Sequence, residues 1–235
     1  IFSGTAADTM PPLYYLIVHF WMLFGKSIWI LRLPTVLLGV SSVWLLYAFT
    51  REAAGEKAAL WAAALAAISP LQYYHAQDIR MYALLAFSQV GYAWCFARLV
   101  NGKRGWKDWA GLIAFGTIAM YTHNLAIFGL AAADFYLLLK RDWRLLGKLV
   151  LAQLAIGLLD LPWLVLIPGQ IQKVQTAFWI ARPGLVEIIQ ALMSATTNLP
   201  LPGIWLAVGL GLTVWILILS AWVWIKDKPA GAGLL

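Results

Sequence analysis

The sequence predicts an all-α, multi-pass transmembrane helical bundle of about seven spans, with a short interfacial helix on the outer side. Three observations carry that expectation. The 235 residues are 63% hydrophobic and only 11% charged, against about 45–50% apolar and about 25% charged in soluble domains. A soluble chain this apolar could not cover its own surface, and lipid is the solvent that resolves the excess. The apolar residues fall into runs near the ~20 residues that a crossing helix needs, and the basic residues cluster between those runs.

The first 32 residues precede any span and form an outer segment. Pro11 and Pro12 open the stretch LYYLIVHFWMLF, and Gly25 closes it, which is ordinary helix punctuation. Leu13, Leu16, Ile17, Phe20, Trp21 and Phe24 recur at helical spacing. Too short to cross a bilayer, this helix is expected to lie in the outer interface. Its other face carries Tyr15 and His19, and upstream Asp8 either caps it or serves as a base.

The transmembrane domain is expected over 33–225, with spans near 33–50, 58–74, 81–100, 109–122, 124–139, 149–168 and 204–225. The run 109–139 is too long for one span and slightly short for two, and charge decides it. Lys103, Arg104 and Lys107 precede it, while Lys140, Arg141, Arg144 and Lys148 follow. Basic clusters mark the cytoplasmic side, so both ends lie there and the run must turn back, at Tyr121-Thr122-His123-Asn124. The loops at 51–57, 98–108, 140–148 and 226–228 then hold 12 of the 17 Lys and Arg. The other five, Lys26, Arg32, Arg80, Lys173 and Arg182, fall outside. Gly169 to Gly203 makes the longest outer segment, in which Leu185 to Ala195 suits a short helix. Residues 226–235 form a cytoplasmic end that stops without a closing element. The chain opens on Ile1 with no signal-peptide pattern, and both ends read as those of a fragment.

Composition also excludes several functions. The net charge of +7 is explained by topology signals, so no nucleic-acid partner is expected. One cysteine, Cys95, excludes a disulfide framework. The three histidines stand at no metal-ligand spacing with another donor; no protein-built metal site or cofactor is expected, and divalent-metal dependence is left undecided. A Gly-rich phosphate loop and a βαβ pattern are absent from the sequence.

Chemistry-bearing residues concentrate in the outer loop SPLQYYHAQDIRMYALL. Tyr73, Tyr74, His75, Gln77, Asp78, Arg80 and Tyr82 crowd there between two apolar helices, and ionisable groups at a membrane edge are costly unless they pair or serve a purpose. If the stretch is helical, Asp78 and Tyr82 share a face and Arg80 points elsewhere. An arginine at headgroup level suits an anionic phosphate; the bland reading is interfacial anchoring, with Asp78 as a helix cap. His123 and Asn124 sit at the hairpin tip, where Asn is more often structural. Asp134 and Asp160 are intramembrane acids, and Asp160 stands two residues before the helix-kinking Pro162.

Taken together, DTMPPLYYLIVHFWMLFGKSIWILRLPTVLLGV, AAISPLQYYHAQDIRMYALLAF, YTHNLAIF and LDLPWLVLIP resemble the GT-C glycosyltransferases. The likeness is to the bacterial family 39-like enzymes related to protein mannosyltransferases and aminoarabinose transferases, over roughly residues 8–180. Asp78 stands where that family more usually has glutamate. The resemblance implies transfer of a hexosyl or pentosyl group from a polyprenyl-phosphate-linked sugar to a protein, lipid or glycan acceptor. The expected setting is a bacterial inner membrane, with the active side periplasmic or extracellular. It gives Asp78 an active-site role and Arg80 and Tyr82 a donor-phosphate role; His75, Gln77, Tyr74, His123, His19 and Tyr15 are further binding candidates. The family's main catalytic acid lies upstream of the PPLYY stretch, so this chain is expected to be inactive by itself unless Asp8 substitutes. A transporter or lipid flippase working through Asp134 and Asp160 is the rival from another class, and a non-catalytic scaffold that binds lipid phosphate is a third reading.

Overall fold

The computed structural model describes residues 10–171, 184–196 and 203–226. Among these the fold is all-α, with no strand. The helices are α1 (Leu13–Trp21), α2 (Ile28–Ala54), α3 (Glu56–Ile68), α4 (Pro70–Gln77), α5 (Tyr82–Val100), α6 (Trp106–Met120), α7 (Ile127–Lys140), α8 (Trp143–Leu164), α9 (Leu185–Thr196) and α10 (Ile204–Lys226). Short 3₁₀ turns follow α1 at Met22–Phe24 and precede α7 at Asn124–Ala126. Among the described residues, three helices are long and apolar enough to cross a membrane: α2, α5 and α8, with 27, 19 and 22 residues.

Local chemistry explains the boundaries. Ser27 caps α2 by accepting from the Ile30 N–H, and Asp142 caps α8 by accepting from the Leu145 N–H at 3.0 Å. Gly55 separates α2 from α3 at φ +88, a conformation that favours glycine. Inside α2, Pro34 has no N–H for the Ile30 carbonyl four residues earlier. The Trp21 indole takes that place, donating to Ile30 O at 2.8 Å, and so ties the end of α1 to α2.

Two expected elements need comment. The run 58–74 is not one helix. Pro70 forces Ser69 into an extended conformation (φ −65, ψ 122), so α3 ends at Ile68 and α4 begins anew under a Ser69 cap. The run 109–139 is two helices, α6 and α7, joined through Tyr121–Ala126. At 15 and 14 residues they are roughly 21–23 Å long, shorter than the ~30 Å hydrocarbon core.

The main core lies between α5, α6, α7 and α8, around Tyr92, Leu99, Leu112, Leu137, Leu149 and Ile156. At Gly129 of α7 the Gln89 side chain occupies the space a Cβ would need, while its amide donates to Ala126 O at 2.8 Å. A second core, Tyr14, Met81 and Leu84, seats α1 against α5, with Ile17, Val18, Leu38 and Ile118 packed around it. The Leu13 N–H donates to Tyr121 O at 3.2 Å, fixing the start of α1 on the α6–α7 turn. The stripe expected on α1 therefore divides. Leu13 and Ile17 join Tyr14 against the protein, while Phe20 and Phe24 are exposed. α9 packs on α10.

These contacts define two ends of the bundle. One gathers the α2–α3, α5–α6 and α7–α8 connections. The other gathers the start of α2, the α4–α5 corner, the α6–α7 turn and the end of α8.

Candidate functional site

The corner between α4 and α5 is where the loop rich in polar side chains folds. α4 ends at Gln77, and Asp78 leaves the helix with φ −79 and ψ 128. The chain is pinned by its apolar members, since Met81 is buried and Ile79 packs on the same cluster. That burial overrides helical continuity, so Asp78 and Tyr82 do not share a helical face as the spacing predicts. Asp78 does not cap α5 either, whose first turn has no side-chain cap.

Instead, Asp78 turns to a cleft of about 480 Å³ lined by Arg32 of α2, Pro70, Tyr73, Tyr74 and Gln77 of α4, and Ile79. The Arg32 Nε is buried without a hydrogen-bond partner. Among the described residues the ion pairs are Arg98–Asp108, Lys103–Glu52 and Arg104–Asp142, so Arg32 and Asp78 face one cleft without neutralising each other. The Tyr14 hydroxyl is buried and unpartnered nearby. Burial, reinforced by the Asp78 and Tyr15 charges, raises its pKa well above the ordinary phenol value and keeps it a neutral donor.

Beside the cleft runs a ladder of rings. His75 lies 4.8 Å from Tyr82 and 5.2 Å from Tyr74, centroid to centroid, and Tyr82 lies 6.4 Å from His123. Three separate elements thus meet: α4, the start of α5, and the α6–α7 turn. The His75 Nδ1 is buried without a partner. Burial lowers the His75 pKa, and the Asp78 charge opposes the shift. His123 accepts from the Leu125 N–H through Nδ1 at 3.1 Å, which leaves Nε2 to carry the proton. Burial lowers its pKa too.

The other predicted residues scatter. Gln77 and Tyr74 line the cleft. Tyr15 stacks edge-on to Tyr14 at 6.2 Å. Arg80 is exposed and outside the cleft lining, and His19 is exposed with its ring against Phe20. Asp8 lies outside the described residues. Asn124 accepts from the Trp163 indole at 3.0 Å, the structural role a turn Asn suggests. Asp134 lines a groove with Gln153, whose amide also reaches Tyr92 Oη and Leu130 O at 3.3 Å. Asp160 is fully buried with both oxygens unpartnered, near Tyr121 on the α6–α7 turn. Among the described residues, no three His, Cys, Asp or Glu side chains gather as a metal site.

Sequence reading missed Arg32 and Tyr14. Arg32 lies 46 positions before Asp78 in the chain, and its place in the same cleft depends on α4 folding back along α2. The Gln72 amide, donating to Gly39 O at 3.1 Å, holds that fold. The signal for Tyr14 was its place between Leu13 and Ile17 on the inward face of α1.

A helical fold with three membrane-capable helices and a polar, partly unpaired end defines a membrane protein. The profile of the family described as dolichyl-phosphate-mannose-protein mannosyltransferase matches residues 8–166. That is well over half the chain, which therefore belongs to this family of GT-C membrane glycosyltransferases. A curated relative from Bacillus subtilis (strain 168), named "Putative mannosyltransferase YycA", is 28% identical over 167 residues, covering 68% of this chain and 24% of the relative. The chain thus spans about a quarter of that relative's length. No solved structure matches it.

Proposed function

We propose that the protein transfers a sugar from a polyprenyl-phosphate donor to an acceptor hydroxyl, at the membrane face bearing the α4–α5 corner. The observation that carries this reading is the unpaired Arg32 guanidinium, set across a cleft from Asp78 in a chain of the mannosyltransferase family. An arginine fork binds a phosphate bidentately and stabilises the charge that grows on it as the sugar departs. In the displacement, the acceptor oxygen bonds to the anomeric carbon and the bond from that carbon to the phosphate oxygen breaks. Polyprenyl phosphate leaves with the electron pair, and a carboxylate takes the acceptor proton. Asp78 shapes the cleft for this step, and Gln77, Tyr74, His75, Tyr82 and His123 line the sugar side as hydrogen-bonding and ring surfaces. Arg80, exposed and outside the cleft lining, attracts the anionic head from solvent.

The same reading sets the topology. The basic connections 51–57, 98–108 and 140–148 face the cytoplasm by the positive-inside rule. The α4–α5 corner and the α6–α7 turn then face outward, α6 and α7 cross as a hairpin, and α1 lies in the outer interface with Phe20, Leu23 and Phe24 toward lipid.

The test is sugar transfer from polyprenyl-phosphate mannose by the intact protein in vesicles. Arg32→Ala should abolish most of the transfer, and unchanged turnover would sink the assignment. The buried, unpaired Asp160 favours the rival carrier reading, and Asp134→Asn with Asp160→Asn separates the two. A transferase keeps its chemistry in the double variant, whereas a proton-coupled carrier stops.

A further inference from the structure

A groove of about 460 Å³ opens between α2, α5 and α7, toward the end of the bundle away from the cleft. Its floor is made of small residues: Ala53 of α2, Ala93 and Ala97 of α5, and Gly129, Ala132 and Ala133 of α7. From Gln89 to Ala97 it runs roughly 12 Å along α5. The polar groups deep in it are satisfied within the protein. Gln89 donates to Ala126 O at 2.8 Å, and the Tyr92 hydroxyl accepts from the Gln153 amide at 3.3 Å. At the mouth stands Tyr136, whose hydroxyl is buried without a partner.

The face of α7 that lines the groove continues into charge. Gly129, Ala132, Ala133, Tyr136 and Lys140 share one helical face, and Lys140 Nζ lies 5.9 Å from the Tyr136 ring centroid. Arg141 follows with φ 57 and ψ 28, and is the only non-glycine residue at positive φ among the described residues. Glycine is the usual occupant of this helix-ending conformation, so an arginine held there points to a use for its side chain. The nearby acids are engaged elsewhere. In the connections 51–57, 98–108 and 140–148, Lys103 and Asn101 hold Glu52, Tyr47 holds Glu56, and Arg98 holds Asp108. Asp142 faces Arg104 and caps α8. The mouth of the groove is therefore left positive.

We propose that this groove binds one anionic phospholipid of the surrounding leaflet, with its phosphate against Lys140 and Arg141 and one acyl chain running inward to Gln89. Charge complementarity selects the head, since a zwitterionic lipid would bring its ammonium group to a positive mouth. Shape selects the tail. A groove of about 460 Å³ drawn out over roughly 12 Å admits an extended hydrocarbon chain, but not a helix about 10–12 Å across. The Tyr136 hydroxyl lies between head and tail, where it donates to a glycerol ester carbonyl. Helix length adds a further reason. The 14 residues of α7 reach roughly 21 Å against a hydrocarbon core of ~30 Å, so headgroups must be drawn in to meet its end. The lipid is structural: it ties α2, α5 and α7 together and takes no part in sugar transfer.

The experiment uses the full-length protein in phosphatidylcholine vesicles, with a trace of phosphatidylglycerol bearing a photoreactive diazirine midway along one acyl chain. Labelled positions are mapped by peptide mass spectrometry. Label should fall within 49–54, 89–97 and 129–136, and be competed by unlabelled phosphatidylglycerol but not by added phosphatidylcholine. Arg141→Gly relieves the positive φ, so it should hold or raise the melting temperature in lipid-free detergent while lowering labelling about tenfold. Ala132→Trp changes an exposed side chain and fills the groove, and should lower labelling as much. Phosphatidylglycerol should also raise the melting temperature of the native protein, a rise that Arg141→Gly loses. Equal competition by phosphatidylcholine would mean ordinary boundary lipid and overturns the proposal. Stronger competition by polyprenyl phosphate than by phosphatidylglycerol, or undiminished labelling in both variants, overturns it too.

Discussion

The two ends of the helix bundle treat their charged side chains differently. At the end where α2, α5 and α7 finish, charges meet partners. Arg98 binds Asp108, which also accepts from the Gly105 N–H to cap α6. Lys103 and Asn101 both hold Glu52. At the opposite end Arg32, Tyr14 and His75 each bury a polar atom without a partner, and Asp78 joins none of the ion pairs among the described residues. Satisfied polar groups tie helices together, whereas unsatisfied ones near a cleft are held ready for something that arrives. In the reading proposed above, the paired end serves stability and the unpaired end serves binding.

The sharpest way to break this contrast is at the paired end. Asp108→Ala removes both a helix cap and the partner of Arg98, and should cost about 2 kcal/mol. A clear drop in melting temperature in detergent would register it, with affinity for polyprenyl phosphate unchanged. A smaller loss is expected where the unpaired end is itself stitched together. Trp163→Phe deletes the indole bond to Asn124 and should cost about 1 kcal/mol, read as increased hydrogen exchange across 121–127.

The smallest effect is on pH dependence. His75 and His123 both titrate below the ordinary value of 6.5, so the unfolded chain binds more protons than the folded one. Their contribution to stability is present above that value and is lost as pH falls through their lowered folded values. Melting temperature should decline on acidification below 6.5 in the native protein, and less so in the His75→Gln, His123→Gln double variant. An identical decline in both would show that the rings are not the titrating groups.

How legible this was in the sequence depended on which interactions decide each feature. Lipid solvation acts on composition, so the helical membrane fold could be read directly. The α6–α7 pair was legible because charges flank both ends of one apolar run. The break at Ser69 was also written there, in Pro70, but the apolar run across it suggested continuity. Asp78 and Tyr82 were misplaced because periodicity assumes an unbroken helix, and burial of Met81 breaks it. Arg32 could not be assigned locally, since its meaning comes from α4 returning to Gly39, a contact 33 residues apart in the chain.

The central claim is tested most directly by exchanging the two arginines' roles in one experiment. Arg32→Gln and Arg98→Gln are compared for melting temperature and for affinity toward polyprenyl phosphate in the same vesicles. A crossed pattern is predicted. Arg32→Gln should weaken binding by at least about tenfold, as loss of a charge-assisted contact does, with melting temperature held. Arg98→Gln should lower melting temperature and leave binding alone. If Arg32→Gln instead lowers melting temperature and binds the lipid phosphate as well as the native protein does, the unpaired end is structural and the account is wrong.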